Sequence, residues 1–131
     1  MQIHWQRGIL DEEYLNGDNG NEYICSPPLR KKSDIDAMWN ALASGRIQAV
    51  GSDHVPFLRE QKKPGIPFNK VPNGVPGIET RLPLLFSEGV QKGRITLQRF
   101  VDLISSEPAR IFGLYPGKGT IDIGSVANIF P

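Results

Sequence analysis

The chain has 131 residues and a formal net charge of +1, from 15 Lys and Arg against 14 Asp and Glu. That length suits one modest core, and the scattered charge offers neither the basic stripe of a nucleic-acid partner nor an acidic tail. The single cysteine, Cys25, excludes an internal disulfide, and no run of ~20 apolar residues or signal-like N-terminus marks a membrane partner or export, so a cytoplasmic protein is expected.

Residues 1–24 show little periodicity. Ile3, Trp5, Ile9 and Leu10 suit a strand end and a turn. Asp11 to Leu15 suits a short helical turn, and 16–21 a surface loop by composition. His4 has no partner at metal spacing and reads as structural. Tyr23-Ile24-Cys25 is a short β-type run, stopped by Ser26-Pro27-Pro28. The proline pair reads as a rigid connector, or alternatively as a wall fixing the Ser26 backbone near a ligand.

Ser33 suits a helix cap, and Ile35, Met38, Trp39 and Leu42 then fall on one apolar face, closed by Gly45. Ile47-Gln48-Ala49-Val50 reads as a buried strand. Gly51 lets the backbone turn, so Asp53 and His54 emerge at the strand's carboxyl end, where α/β folds place their chemistry. From Pro56 to Gly77, Pro and Gly break every pattern. A loop of about twenty residues without secondary structure is usually functional, and Phe57, Ile66, Phe68 and Val71 suit an ordered loop packed over something. Lys62 and Lys63 read as a solvated face.

A helix with Ile78, Leu82, Leu85 and Phe86 as its apolar positions starts regularly near Arg81 or Leu82, because Pro83 is tolerated only in a first turn. Gly89 and Gly93 mark its end. Thr96 caps another, with Leu97, Phe100, Val101 and Ile104 on one face. Pro108 opens a further short helix, buried by Ala109, Ile111 and Phe112 and ended by Gly113. Thr120 to Gly124 alternates and reads as a strand. The 14 Gly and 11 Pro exceed ordinary usage, and the chain ends on the apolar run 127–131. Both features create the expectation of a piece cut from a larger domain.

Four stretches occur here in order: Ser26-Pro27-Pro28-Leu29-Arg30, Val50 to Phe57, Pro72 to Glu79, and Pro108 to Pro116. Together they resemble the C-terminal part of the catalytic region of dihydropyrimidinases and hydantoinases, cyclic amidohydrolases of the amidohydrolase superfamily. The resemblance runs from Tyr23 onward. Val55-Pro56-Phe57 departs from the SDHAPH form of dihydroorotases and allantoinases, and Asp53 departs from the collapsin response mediator proteins, which lose that aspartate. The resemblance implies an α/β fold, the C-terminal fragment of a metal-dependent (β/α)8 (TIM) barrel. Residues 1–118 would be its last βα units, with Ile47 to Val50 the last barrel strand. Residues 119–131 would be a truncated strand returning to a β-sandwich, where Gly124 to Phe130 departs from the family's GSDADIV pattern.

The resemblance also implies a reaction, the ring opening of dihydropyrimidines or hydantoins by a binuclear divalent metal centre, usually zinc, bridged by a carboxylated lysine and a hydroxide. Asp53 would bind one metal and carry the proton from the attacking hydroxide to the leaving nitrogen. Backbone groups at Ser26 and Asn73 would contact the small cyclic amide substrate. His54 would support its neighbour rather than bind metal. The family's HxH pair, bridging lysine and two further histidines match nothing here, since His4 and His54 are the two histidines of the chain. A catalytic zinc needs three protein ligands. The isolated chain is therefore expected to be inactive, and the complete enzyme to be a homo-oligomer, a tetramer by family analogy. The alternative is a non-catalytic remnant or interaction module of the same fold family.

Overall fold

The computed structural model describes residues 2–4 and 8–127. Its first helix, α1, is Lys32–Ala43, and the four apolar residues at helical spacing, Ile35, Met38, Trp39 and Leu42, are its buried face. Ser33 does not cap it. Lys31 occupies the cap position without a side-chain bond, and Asp34 sits in the first turn, where a carboxylate complements the positive end of the helix. Gly45 follows the C-cap Ser44 in the left-handed region, at φ 79°.

The strand after α1, β2, is Ala49–Gly51 and is buried throughout. It pairs in parallel with β1, Gln2–His4, in the register Gln2 to Ala49, Ile3 to Val50 and His4 to Gly51. Two parallel strands with a helix between them form a βαβ crossover, the repeating unit of α/β folds. His4 thus lies on a strand at the described sheet's edge, while Trp5 falls outside the described residues.

The core joins α1 to the later helices. Ile35, Met38, Trp39, Leu42, Ile47 and Val50 pack with Leu85, Ile95 and Leu103. The indole Nε1–H of Trp39 donates to Gly8 O at 2.9 Å, and the Arg94 guanidinium lies 5.2 Å over its ring. Arg99 bridges two elements: its Nε–H donates to Leu42 O at 2.8 Å, at the end of α1, and its Nη2 donates to Ile47 O at 2.5 Å, just before β2.

The C-terminal half is helical with two changes of pitch. Helix α2, Arg81–Leu85, begins where Pro83 requires and passes directly into a π turn, Phe86–Gln91. Helix α3, Leu97–Val101, is capped by Thr96, whose Oγ1 accepts from Arg99 N at 3.0 Å. A second π turn, Asp102–Ser106, leads into α4, Glu107–Ile111. Of the expected face, Phe100 and Ile104 pack against the core as partly buried residues. Leu103 is fully buried, whereas Leu97 and Val101 are exposed. In α4 only Ala109 is buried, and Ile111 and Phe112 face solvent.

Two expected strands are not found. Tyr23 belongs to a 3-10 turn, Gly20–Tyr23, and no strand includes Ile24 or Cys25. Residues 120–127 form no strand either: Ser125 N donates to Asp122 O across a turn, and the side chains of Ile121 and Ile123 stand free of the protein. Alternation alone does not make a strand, because its backbone groups need a neighbouring ladder. The expected return strand's last part, 128–131, lies outside the described residues. The α/β class and the βαβ unit therefore stand, and no strand of a β-sandwich occurs among the described residues.

Candidate functional site

The carboxyl end of β2 is where the predicted stretches meet. Asp53 has φ 45°, in the left-handed region that a non-glycine residue rarely adopts and that Asp tolerates better than most. A backbone held in that region has to be stabilised by its surroundings, and such residues gather at functional sites. Both Asp53 and His54 are exposed.

His54 ties the end of the long loop to the strand. Its Nδ1 accepts from Gly77 N at 3.0 Å and from Ile78 N at 3.3 Å. The neutral imidazole thus carries its proton on Nε2. With Nδ1 accepting from two amides, His54 acts as a backbone clamp beside Asp53. His54 also forms a parallel bridge with Val75, and Val55 N donates to Val75 O at 3.2 Å. On the other side of β2, Arg81 Nη1 donates to Val50 O at 3.0 Å.

The loop itself is ordered, as its apolar residues suggest. It contains two 3-10 turns, Arg59–Gln61 and Phe68–Lys70, and Val71 is buried. Asn21 holds it from outside, donating through Nδ2 to Lys63 O at 3.0 Å and Ile66 O at 3.2 Å. An exposed ion pair, Arg59 Nε to Glu22 Oε1 at 3.2 Å, adds little in water.

Lys62 overturns the expectation of a solvated face. It is 5% exposed, the one buried charged side chain among the described residues. Its ammonium donates to Gly74 O at 2.6 Å, Ile24 O at 2.8 Å and Glu22 O at 3.2 Å. Burial pulls its pKa below the ordinary lysine range, while the nearby Cys25 and Glu22 push it up. Lys63, its neighbour, is exposed as expected. Nothing in the sequence distinguishes the two, because the partners are carbonyls of residues far along the chain.

Gly74 is the meeting point of these segments. Gly74 N donates to Ile24 O at 3.1 Å, and its φ is 156°. A Cβ placed there would lie 2.7 Å from Val55 Cβ, Cγ1 and O. The segments that carry Ser26 and Asn73 are therefore joined through the adjacent residues Ile24 and Gly74, and both Ser26 and Asn73 are exposed. The 72–78 segment is joined in turn to Asp53 through His54 and Val55. Three separate stretches of sequence converge on one end of one strand.

Among the described residues no three His, Cys, Asp or Glu side chains cluster as a metal site would require. Asp53 therefore belongs to no such group among the described residues. No helix among the described residues is long and apolar enough to cross a membrane.

Comparison with known proteins agrees with this arrangement. The profile of the "Amidohydrolase family" matches residues 10–131, reaching upstream of Tyr23 where the motifs begin. The D-hydantoinase of Geobacillus stearothermophilus is 50% identical over 125 residues, covering 92% of this chain and 26% of that protein. The D-phenylhydantoinase of Escherichia coli is 44% identical over 124 residues, covering 92% of this chain and 27% of its own length. The crystal structure of dihydropyrimidinase from Brevibacillus agri superposes with a TM-score of 0.86 at 44% identity, over 96% of this chain and 28% of that one. The chain thus spans about a quarter of the length of the relatives it matches.

Proposed function

This chain belongs to the amidohydrolase family, and from that premise we propose that it forms part of a metal-dependent enzyme that opens dihydropyrimidine or hydantoin rings. The observation that carries the reading is the convergence of the Ser26, Asp53 and Asn73 stretches at the carboxyl end of β2. Similarity of 44–50% to hydantoinases over nearly the whole chain supports the substrate class. In this reading the exposed amides and carbonyls around Ser26 and Asn73 orient the ring amide, since both lie in segments whose backbones are held in place. The Asp53 carboxylate takes the proton of the attacking water and delivers it to the ring nitrogen that leaves. Asp53 is also the residue to which this reading assigns a metal. The remaining ligands of a divalent pair, zinc by analogy, would come from the rest of a complete enzyme, and the assembled enzyme would be a homo-oligomer. The isolated chain is inactive in this reading, because one carboxylate holds no metal.

The test is a chimera in which this chain replaces the matching segment of the Geobacillus stearothermophilus D-hydantoinase. It is expected to open hydantoin or dihydrouracil with zinc present. Asp53→Asn keeps a side chain that tolerates the left-handed backbone and removes the charge. It should lower kcat by about 10²–10⁴-fold, the usual worth of a general acid–base group. Ring opening at an unchanged rate in the Asp53→Asn chimera would refute the assignment. A chimera that folds and binds metal but leaves both rings intact would favour the second reading, a non-catalytic module.

A further inference from the structure

Lys62 is buried in a loop that the ring-opening reading leaves without a chemical task. All three of its ammonium donors are used on main-chain carbonyls, and those carbonyls belong to two different segments. Glu22 and Ile24 precede Ser26, and Gly74 follows Asn73 directly. We propose that Lys62 is a positioning residue for the cyclic amide: its ammonium clasps the 22–26 and 73–74 segments together and so sets the spacing of the Ser26 and Asn73 backbones that receive the ring. This rests on the functional reading above, which gives those two backbones their contact with substrate.

The residue type fits the task. Three carbonyl oxygens converging on a point suit a compact ammonium with three donors, whereas a guanidinium presents its donors in a planar fork. Hydrogen bonds from a charged donor are roughly twice as strong as neutral ones. A neutral side chain at 62 would leave the buried contact at Gly74 O and the part-buried ones at Glu22 O and Ile24 O without that donor. The backbone bond from Gly74 N to Ile24 O would remain between the segments. The loop bearing Lys62 is itself anchored to residue 21 by Asn21, so the ammonium is held in place.

Four measurements test this. In the 131-residue chain, Lys62→Met should speed hydrogen exchange at the Gly74 and Val55 amides at least tenfold and leave the Arg99 amide, capped by Thr96, unchanged. In the wild type, the Lys62 ammonium protons should be visible by NMR as slowly exchanging, unlike those of Lys63; this measurement needs no variant and stands even if Lys62→Met does not fold. In the chimera, Lys62→Met should raise KM for hydantoin at least tenfold with a smaller loss in kcat. Lys62→Ala should recover part of its KM with added n-propylammonium and none with n-propanol. Unchanged exchange at Gly74, or fast-exchanging Lys62 ammonium protons, would overturn the clasp. An unchanged KM in an active Lys62→Met chimera would overturn its role in substrate binding. A chimera that opens neither ring would overturn the functional reading and the substrate half together, while the exchange data decide the clasp on their own.

Discussion

Gly74→Ala is the sharpest test of how the three stretches are joined. The new methyl would lie 2.7 Å from two side-chain carbons and the carbonyl oxygen of Val55. Carbon atoms rest at about 3.5–4.0 Å, so the segments must separate by nearly an ångström. One of the crowding atoms is main-chain oxygen, which cannot swing aside as the end of a long side chain would. The movement strains three bonds at once: Lys62 Nζ to Gly74 O, Gly74 N to Ile24 O, and Val55 N to Val75 O. Overpacking of this kind costs about 1–3 kcal/mol, and weakening a charge-assisted hydrogen bond adds about 1 kcal/mol or more. Gly74 also has positive φ, 156°, which adds about 1 kcal/mol for the backbone, so a loss of about 3–5 kcal/mol is expected. Urea denaturation of the wild type and variant measures it. Gly65→Ala is the control, since Gly65 also has positive φ, 89°, yet nothing lies within 4 Å of its added carbon. It should cost only the backbone term, about 1 kcal/mol. If the two variants lose the same stability, crowding against Val55 is not what fixes Gly74, and the account of the junction fails.

Two further outcomes follow from single residues. Arg99→Met strips the donors from Leu42 O and Ile47 O at the junction of α1 with the strand. It should cost about 2–3 kcal/mol in thermal or urea unfolding, and a loss under about 0.5 kcal/mol would show that water replaces the guanidinium. Lys62 should also leave a trace in the pH dependence of stability. Its folded pKa is lowered by burial, so between that value and the unfolded value the unfolded chain binds more protons, and this group's contribution rises with pH and is lost as pH falls through the folded pKa. The stability of wild type relative to Lys62→Met should therefore climb as the alkaline range is approached, and a flat or falling difference in urea titrations would contradict the burial.

Local periodicity carried the helix-and-strand unit. Ile35, Met38, Trp39 and Leu42 face inward because an i, i+3, i+4, i+7 spacing has one geometric outcome in an α-helix. The placement of Asp53 and His54 beyond the end of β2 was legible from the short apolar run, but Gly51 does not turn the chain: it is the last strand residue, paired with His4, and the left-handed backbone falls at Asp53. Legibility ended where partners are distant or the pitch changes. Lys62 and Lys63 are adjacent and chemically identical, and only the arrival of Ile24 and Gly74 separates a buried clasp from a solvated side chain. The core side of this stretch is carried by Leu103 with Phe100 and Ile104, while Leu97 and Val101 at the ends of α3 are exposed, and no residue in Asp102–Ser106 announces the π turn. The alternation from Thr120 to Gly124 was read correctly as a pattern but lacks the neighbouring strand that would turn it into structure. The roles of Ser26 and Asn73 came from resemblance alone; the geometry adds that their segments are fastened to each other.

Every bond that Lys62 makes ends on a main-chain carbonyl. A carbonyl is present whatever side chain a residue carries. The fastening therefore places its demand on one lysine and one glycine, and leaves the side chains at 22 and 24 outside the contact. Substitutions can accumulate on that segment without loosening the frame. On the proposed function, the side chains of that segment can vary while the backbones assigned to the ring amide keep their spacing.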